Sequence, residues 1–407
     1  MAARLTPVAG AATLAAPTPG GFPMFALIAT LAIQALVSMA VLTPPVFAAL
    51  AAPEIGVSAN GIGVYTSLVY AAACLSAAVS GGPIRRHGAI RLSQVCLVAC
   101  AAGLALTASA SLALVLGGAV LLGLGYGPVT PASSHILIRQ TPPARRALVF
   151  SIKQTGVPVG GALAGILVPA LVLALGWKGA ALAAAALSVV VAVAVEPVRK
   201  SLDSDADPTA RGERGVLAAI RLVLASPPLR RLALASLAFS AMQLCFSAFV
   251  VTFLTERVGL ALVTAGAVMA AAQVAAIGGR ILWGWVADRF LPTRQLLCLL
   301  GLVMAASAAA LSLVTASWPV GAIAAVTVVL GASGLGWNGI YLAEVATLAP
   351  PGSAGLVTGG ALSLTFLGIV IGPALFSLVV EASGSYRPAF LAVACFAAIA
   401  ALAVWRR

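Results

Sequence analysis

The run GGRILWGWVADR, residues 278–289, closes a long uncharged stretch and sets a single arginine, Arg280, among Ile281, Leu282, Trp283 and Trp285. The pair Asp288-Arg289 ends it. With a rise of about 1.5 Å per residue, a helix that meets water at that pair carries Arg280 about 12 Å inward. That is near mid-depth in a hydrocarbon layer about 30 Å thick. A cation belongs there only if the whole chain is built for a bilayer and the cation has a task.

The rest of the chain is built that way. Of its 407 residues, 62% are hydrophobic and 8% charged, which a water-soluble domain could not carry without large exposed apolar patches. Apolar stretches recur at roughly 23–50, 58–82, 90–109, 112–138, 146–175, 178–196, 230–255, 261–286, 294–316, 319–345, 354–381 and 387–405. Each is long enough to cross as a helix, and none shows the short polar/apolar alternation of a membrane barrel. The expected fold is all-α, with twelve transmembrane helices, numbered below as spans 1 to 12. The many Gly and Pro residues fit spans whose neighbours satisfy loosened backbone groups.

A net charge of +13 invites thoughts of nucleic acid, but its distribution points to a membrane. Arg85, Arg86 and Arg91 lie between spans 2 and 3, and Arg139, Arg145 and Arg146 between spans 4 and 5. Arg199, Lys200, Arg211, Arg214, Arg221, Arg230 and Arg231 lie between spans 6 and 7, Arg289 and Arg294 between 8 and 9, and Arg406 and Arg407 at the end. The loops on the other side hold only Lys178, Arg257 and Arg387. Cytoplasmic loops carry the excess of Lys and Arg. A multi-pass protein of the cytoplasmic (inner) membrane with both termini in the cytoplasm is therefore expected, and no nucleic-acid partner. Residues 1–22 read as a flexible cytoplasmic tail and not as a cleaved signal peptide. Cys74, Cys96, Cys100, Cys245, Cys298 and Cys395 all fall within spans and imply no disulfide framework.

Residues 197–229 form the one long polar stretch, with a short helix candidate at 215–224, and divide the chain into halves at 23–196 and 230–407. The halves echo each other. GLGYG at 123–127 answers GLGWN at 334–338; each is followed by a Pro-Pro pair, Pro142-Pro143 and Pro350-Pro351, and then by a Gly-rich span ending in Pro. This is a parallel repeat about half the chain long.

Two parallel six-span halves joined by a basic linker resemble the layout of the major facilitator superfamily. Gly284-Trp-Val-Ala-Asp288-Arg289 resembles that family's G-x-x-x-D-R motif between helices 8 and 9. The first-half copy, SGGPIRRHGAIR at 80–91, keeps Gly81, Arg86 and Gly88 but has Arg85 where the family usually has Asp. The resemblance covers nearly the whole chain. It implies a transporter whose halves rock, with Asp288, Arg289 and Arg85 at the gate and without the usual Asp-centred latch between spans 2 and 11. It also implies that the Gly-x-x-x-Gly pairs Gly156/Gly160 and Gly161/Gly165 of span 5, and Gly368/Gly372 of span 11, lie where opposite halves slide; such spacing permits close helix approach.

An ionisable side chain inside a bilayer is costly and by default marks a function. Besides Arg280, Lys153 lies about two turns inside span 5, and His135 and Glu344 lie at matching places near the cytoplasmic ends of spans 4 and 10. No carboxylate occupies the central depth of any span; span 1 offers Gln34, Ser38 and Thr43. Buried cations without buried acids call for an anion from solution, and the arginine fork suits a carboxylate. The segment GGR-x-x-x-G-x-x-x-D-R resembles helix 8 of the oxalate/formate antiporters and monocarboxylate transporters, where the matching arginine binds the carboxylate. The Asp that precedes it in the monocarboxylate pattern is replaced by Ala276.

Other roles stay open. Arg280 could bond backbone carbonyls or close a gate, and Lys153 could snorkel to the interface. Glu344 is expected to pair with a gate arginine, Arg85 being one candidate, and His135 is either a titrating group or a passive polar residue. Gln34, Tyr65, Tyr70, Tyr126, Gln154, Gln243, Gln273, Trp337, Asn338 and Tyr341 complete the candidate pocket.

The expectation is a monomeric secondary transporter for a small organic anion, above all a carboxylate, coupled to protons or a counter-substrate and using no cofactor or metal. An exporter of neutral or amphipathic compounds and a metabolite receptor that transports nothing are the alternatives. Catalysis is not expected, since no nucleophile with its base, metal cluster or cofactor motif stands in the sequence.

Overall fold

The computed structural model describes residues 23–57, 62–210 and 216–405. The expected tail at 1–22 and the charges Arg211, Arg214, Arg406 and Arg407 lie outside these residues. Among the described residues every regular element is a helix.

Span 1 is α1 (Met24–Ile55) and span 2 is α2 (Ile62–Val79), followed by the short α3 (Gly81–His87) after a bend of 56°. Span 3 is α4 (Ala89–Thr107). Span 4 comes in two pieces, α5 (Leu112–Tyr126) and α6 (Val129–Gln140), parted at Gly127-Pro128. Span 5 begins as α7 (Arg146–Gln154) and continues into α8 (Gly156–Ala194), which also contains span 6. Gly176, at φ 70° and ψ 170°, turns the chain back between the two; an L residue would be strained there.

The linker holds α9 (Glu196–Leu202) and α10 (Val216–Ala225). The second half runs α11 (Pro227–Glu256), α12 (Leu262–Arg289), α13 (Thr293–Ser312), the pair α14 (Val320–Gly334) and α15 (Asn338–Leu348), α16 (Ala354–Ser383) and α17 (Tyr386–Trp405). Among the described residues, ten segments are long and apolar enough to cross a membrane singly, and α2 with α3 makes an eleventh. One of the ten is the 52-residue Pro143–Ala194 segment, which Gly176 divides into spans 5 and 6.

The repeat seen in the sequence has a physical counterpart. GLGYG and GLGWN stand where spans 4 and 10 break, at the α5/α6 and α14/α15 junctions. Each half packs mainly on itself, α1 on α8 and α4 on α5 in the first, α13 on α17 and α11 on α16 in the second. The halves meet through α7 against α12 and α15, and through α2 and α6 against α16. These contacts run from the end of the bundle that carries the linker inward to the Cys74–Ser363 and Tyr70–Phe366 pairs. Toward the other end, α1 with α11 and α8 with α12 show no comparable packing among the described residues.

The Gly-x-x-x-Gly pairs do not serve the seam between halves. Gly156 and Gly160 abut Gln34, Ala35 and Ser38 of α1, and Gly368 and Gly372 abut Leu237, Ser240 and Ala241 of α11, each within its own half. The glycines at the seam are others: Gly81 faces Leu356, and Gly359 faces Ala77 and Ser80.

Candidate functional site

Arg280 lies on α12 with 4% of its surface exposed. Its Nε donates to the Leu335 carbonyl at 2.9 Å, and its Nη1 donates to the Gln154 carbonyl. Both acceptors are carbonyls at helix ends, which lack partners inside their helices. Leu335 follows α14 and Gln154 is the last residue of α7. The arginine thus bridges interruptions in spans 10 and 5, one from each half. Two of its five N–H donors are committed to neutral acceptors.

Lys153 does not snorkel. It is 1% exposed, and its Nζ donates to Gln34 Oε1 at 2.7 Å, Gln154 Oε1 at 3.0 Å and Thr130 Oγ1 at 3.3 Å. Thr130 in turn donates to Gln34 Oε1 at 2.9 Å, and Gln34 Nε2 donates to Ser38 at 3.3 Å. Gln154 is the common member, its main chain serving Arg280 and its side chain Lys153. Among the described residues, neither cation forms an ion pair.

Other expected pocket residues assemble around this pair to differing degrees. The ring of Tyr126 meets Tyr70 at 6.1 Å and Phe366 at 6.0 Å. Gln273 is exposed on α12, two turns from Arg280 on the same helix face. Half-buried Asn338 donates to Gln243 at 3.1 Å. Trp337 and Tyr341 are buried in the second half, their rings tilted at 59° with centroids 5.3 Å apart, and Phe239 meets Trp337 edge-on. Tyr65 stands apart. Its hydroxyl lies 3.4 Å from Thr107, on an apolar cavity of about 270 Å³ lined by Pro44, Phe47 and Val115.

The gate residues sit on the linker side. Asp288 accepts from the main-chain N–H groups of Ala147 at 3.1 Å and Leu148 at 2.9 Å. It thereby caps the first turn of α7 across the seam, where a carboxylate is favoured by the helix dipole. Arg85, its counterpart in the repeat, is exposed. Ser151 of α7 wedges between Gly284 and Gly339 of the second half, each of which would crowd it with a Cβ. Glu344 pairs with Arg294 at 2.9 Å, not with Arg85, whose carbonyl instead accepts from Asp207. Arg289 is exposed.

His135 is buried and bonds Asp205 of the linker at 2.6 Å, and Arg139 pairs with the same carboxylate. Burial pushes the Asp205 carboxyl up, but the bond from His135 and the charges of His135 and Arg139 outweigh it and hold the group below its ordinary range. Asp203 accepts from the N–H groups of Ile90 at 2.8 Å and Arg91 at 3.0 Å; its own carboxyl is raised by burial. The linker is hooked to the first half by these two acids. Sequence reasoning overlooked both, along with Thr130 and Ser151.

The model of the Major Facilitator Superfamily matches residues 25–373. The chain belongs to the major facilitator superfamily. As a member, it is 24% identical to the hexuronate transporter of Bacillus subtilis (strain 168) over 305 residues, 70% of this chain and 71% of the relative. It is 36% identical over 115 residues, 28% of each chain, to the Mycobacterium tuberculosis (strain CDC 1551 / Oshkosh) protein described as "Probable nitrate/nitrite transporter NarK2". Among solved structures, the human organic anion transporter MFSD10 (TETRAN) superposes with a TM-score of 0.77 at 18% identity, covering 94% of this chain and 100% of the other. That likeness establishes the superfamily fold. The chain is a multi-pass membrane transporter of this superfamily.

Proposed function

We propose that this superfamily member is a secondary transporter for small organic anions, with a carboxylate as the recognised group. The observation that carries the reading is the convergence of two buried cations, Arg280 and Lys153, on Gln154 without a carboxylate partner. A buried charge needs a counter-charge or a full set of hydrogen bonds, and here neutral oxygens hold the place that an arriving anion would fill. The relatives named for hexuronate and nitrate/nitrite support an anionic substrate.

In this reading the anion enters from the side opposite the linker, where the halves are unpacked, and docks on the free end of the Arg280 fork. Binding competes with the Gln154 carbonyl for the guanidinium and so couples occupancy to the bridge between halves. Alternating access follows when the α7 contacts with α12 and α15 release. In this reading the linker side, which carries the excess of arginine, faces the cytoplasm, and the membrane is the inner one. An ion or counter-substrate gradient drives the cycle.

A second reading, export of amphipathic compounds, draws on the apolar cavity beside Tyr65; Arg280 would then serve the gate alone. Uptake of labelled glucuronate into vesicles containing the purified protein separates the two. The anion reading expects saturable uptake, inhibited by other carboxylates and unaffected by neutral sugars. Uptake equal to that of empty vesicles for every carboxylate tried, with amphipathic cations transported instead, would select the second.

A further inference from the structure

The linker helix α10 does not lie on the polar surface. It packs against α2 of the first half, α16 of the second and the start of α11. Gly360 admits it: a Cβ there would stand 2.5 Å from the Ala219 carbonyl oxygen and 3.1 Å from a Val223 methyl. Gly360 is six residues into α16, about 9 Å from its end, so α10 sits at the depth of the membrane's linker-side edge. Two of these helices, α2 and α16, form the seam between halves, where Cys74 Sγ donates to the Ser363 carbonyl at 3.3 Å and Ser363 Oγ donates to the Cys74 carbonyl at 2.9 Å.

The inner face of α10 is Ala219 and Val223, both fully buried. Its outer face carries Leu217, 72% exposed, and the exposed Arg221. Arg230, also exposed, donates to the Leu224 carbonyl at 3.2 Å and so holds its charge at the helix's end. No Asp or Glu occurs from Val216 to Thr255. An apolar face with cations at headgroup depth complements an anionic phospholipid, acyl chain against Leu217 and phosphate against Arg221. Zwitterionic lipid offers the same apolar contact without the net charge.

We propose that α10 is a lipid-reading wedge: anionic phospholipid bound to its outer face through Arg221 and Arg230 seats it across the α2/α16 seam and holds the linker side closed. The inference is independent of which substrate the protein carries.

The test compares the full chain in phosphatidylcholine vesicles with and without phosphatidylglycerol. Wild type should melt at a higher temperature with phosphatidylglycerol. Arg221→Gln, an exposed change that leaves the core intact, should need about five-fold more anionic lipid for half the shift, since one arginine near such a surface is worth about 1 kcal/mol. Gly360→Ala keeps every arginine but unseats α10, and should lose the shift as well. In a Cys395→Ser background, phosphatidylglycerol should slow maleimide labelling of Cys74 in the otherwise wild-type chain but not in Arg221→Gln. Equal shifts in all three proteins, or none in wild type, overturn the lipid site. A shift reproduced by soluble glycerol 3-phosphate assigns the site to free phosphate and overturns the lipid source. Cys74 labelling indifferent to lipid overturns the wedge.

Discussion

Arg280, from the second half of the transporter, donates to the main-chain oxygen of Gln154 in the first, while Lys153 donates to the side-chain oxygen of that same glutamine. One residue therefore mediates between a cation of each half. Because both of its acceptors are neutral, the arrangement favours an incoming anion and, until it comes, ties the halves together.

Replacing Arg280 separates binding from folding. Arg280→Gln retains donors that can reach a carbonyl but loses the charge and the fork. Affinity for a transported carboxylate should fall by on the order of a hundred-fold, within the range for losing one partner of a buried charge pair. Arg280→Lys should recover little, because a point charge cannot reproduce two parallel N–H bonds. Uptake against concentration for the three proteins checks this; near-normal uptake by Arg280→Gln would leave the arginine a gate residue.

Lys153 gives a test in which stability and function move in opposite directions. Lys153→Met removes a desolvated charge from the core while Gln34, Thr130 and Gln154 can bond one another. The melting temperature should stay level or rise, as when buried ionic groups give way to apolar ones of similar size. Carboxylate affinity should drop roughly ten-fold or more. A lower melting temperature with unaltered affinity would make Lys153 a structural residue.

Closure of the linker side depends on Gly339. A Cβ there would collide with Ser151, whose own side chain fills the notch between Gly284 and Gly339. Gly339→Ala should shift the equilibrium toward linker-side opening, read as faster labelling of a cysteine placed at position 148. Adding Ser151→Gly should recover slow labelling only in part, since it removes the serine Cβ and Oγ but leaves the residue-151 Cα 2.3 Å from the added Cβ. Independent effects of the two changes would contradict the wedge geometry.

The linker hook carries a pH dependence of defined sign. Asp205 is held below its ordinary value of 3.8 by His135 and Arg139 against the opposing effect of burial. A carboxyl depressed in the folded state adds stability that is fully present above its unfolded pKa and is lost as pH falls through the folded one. Asp203 is raised by burial and works in the opposite direction, but at pH above 3.8, over the range that adjoins that of Asp205. Protection of residues 203–210 from hydrogen exchange, taken against the intrinsic rate at each pH, should thus be high at neutral pH and fall below about pH 4, with Asp205→Asn poorly protected at both. Protection independent of pH would show the hook to be held by other contacts.

Much of this was legible in the sequence. Span lengths follow from apolar runs against bilayer thickness, and the repeat of GLGYG in GLGWN marked the places where spans 4 and 10 break. Arg280 and Lys153 stood out because charge in hydrocarbon is costly. Their partners did not stand out, for a physical reason: Arg280 is held by backbone carbonyls, and every residue has one. Only the fold shows which carbonyls helix breaks have freed. The position of Glu344 points to a gate arginine, but the choice of Arg294 over Arg85 depends on the approach of α13 to α15, which charge counting does not contain. The linker acids looked like an ordinary solvated stretch; their role arises from docking onto α4 and His135. Gly156, Gly160, Gly368 and Gly372 advertised close packing truthfully, but spacing alone could not say which helix approaches.

The central claim is that an anion takes the place opposite Arg280, and its most direct test is thermal stabilisation of purified wild type and Arg280→Gln by a panel of mono- and dicarboxylates, neutral sugars and amphipathic cations. A ligand at 100 times its dissociation constant adds roughly 2.7 kcal/mol to stability, enough to move the melting temperature visibly. The account predicts that carboxylates stabilise the wild type and that this effect disappears in Arg280→Gln. Stabilisation by neutral or cationic compounds alone, equal in both proteins, would contradict it.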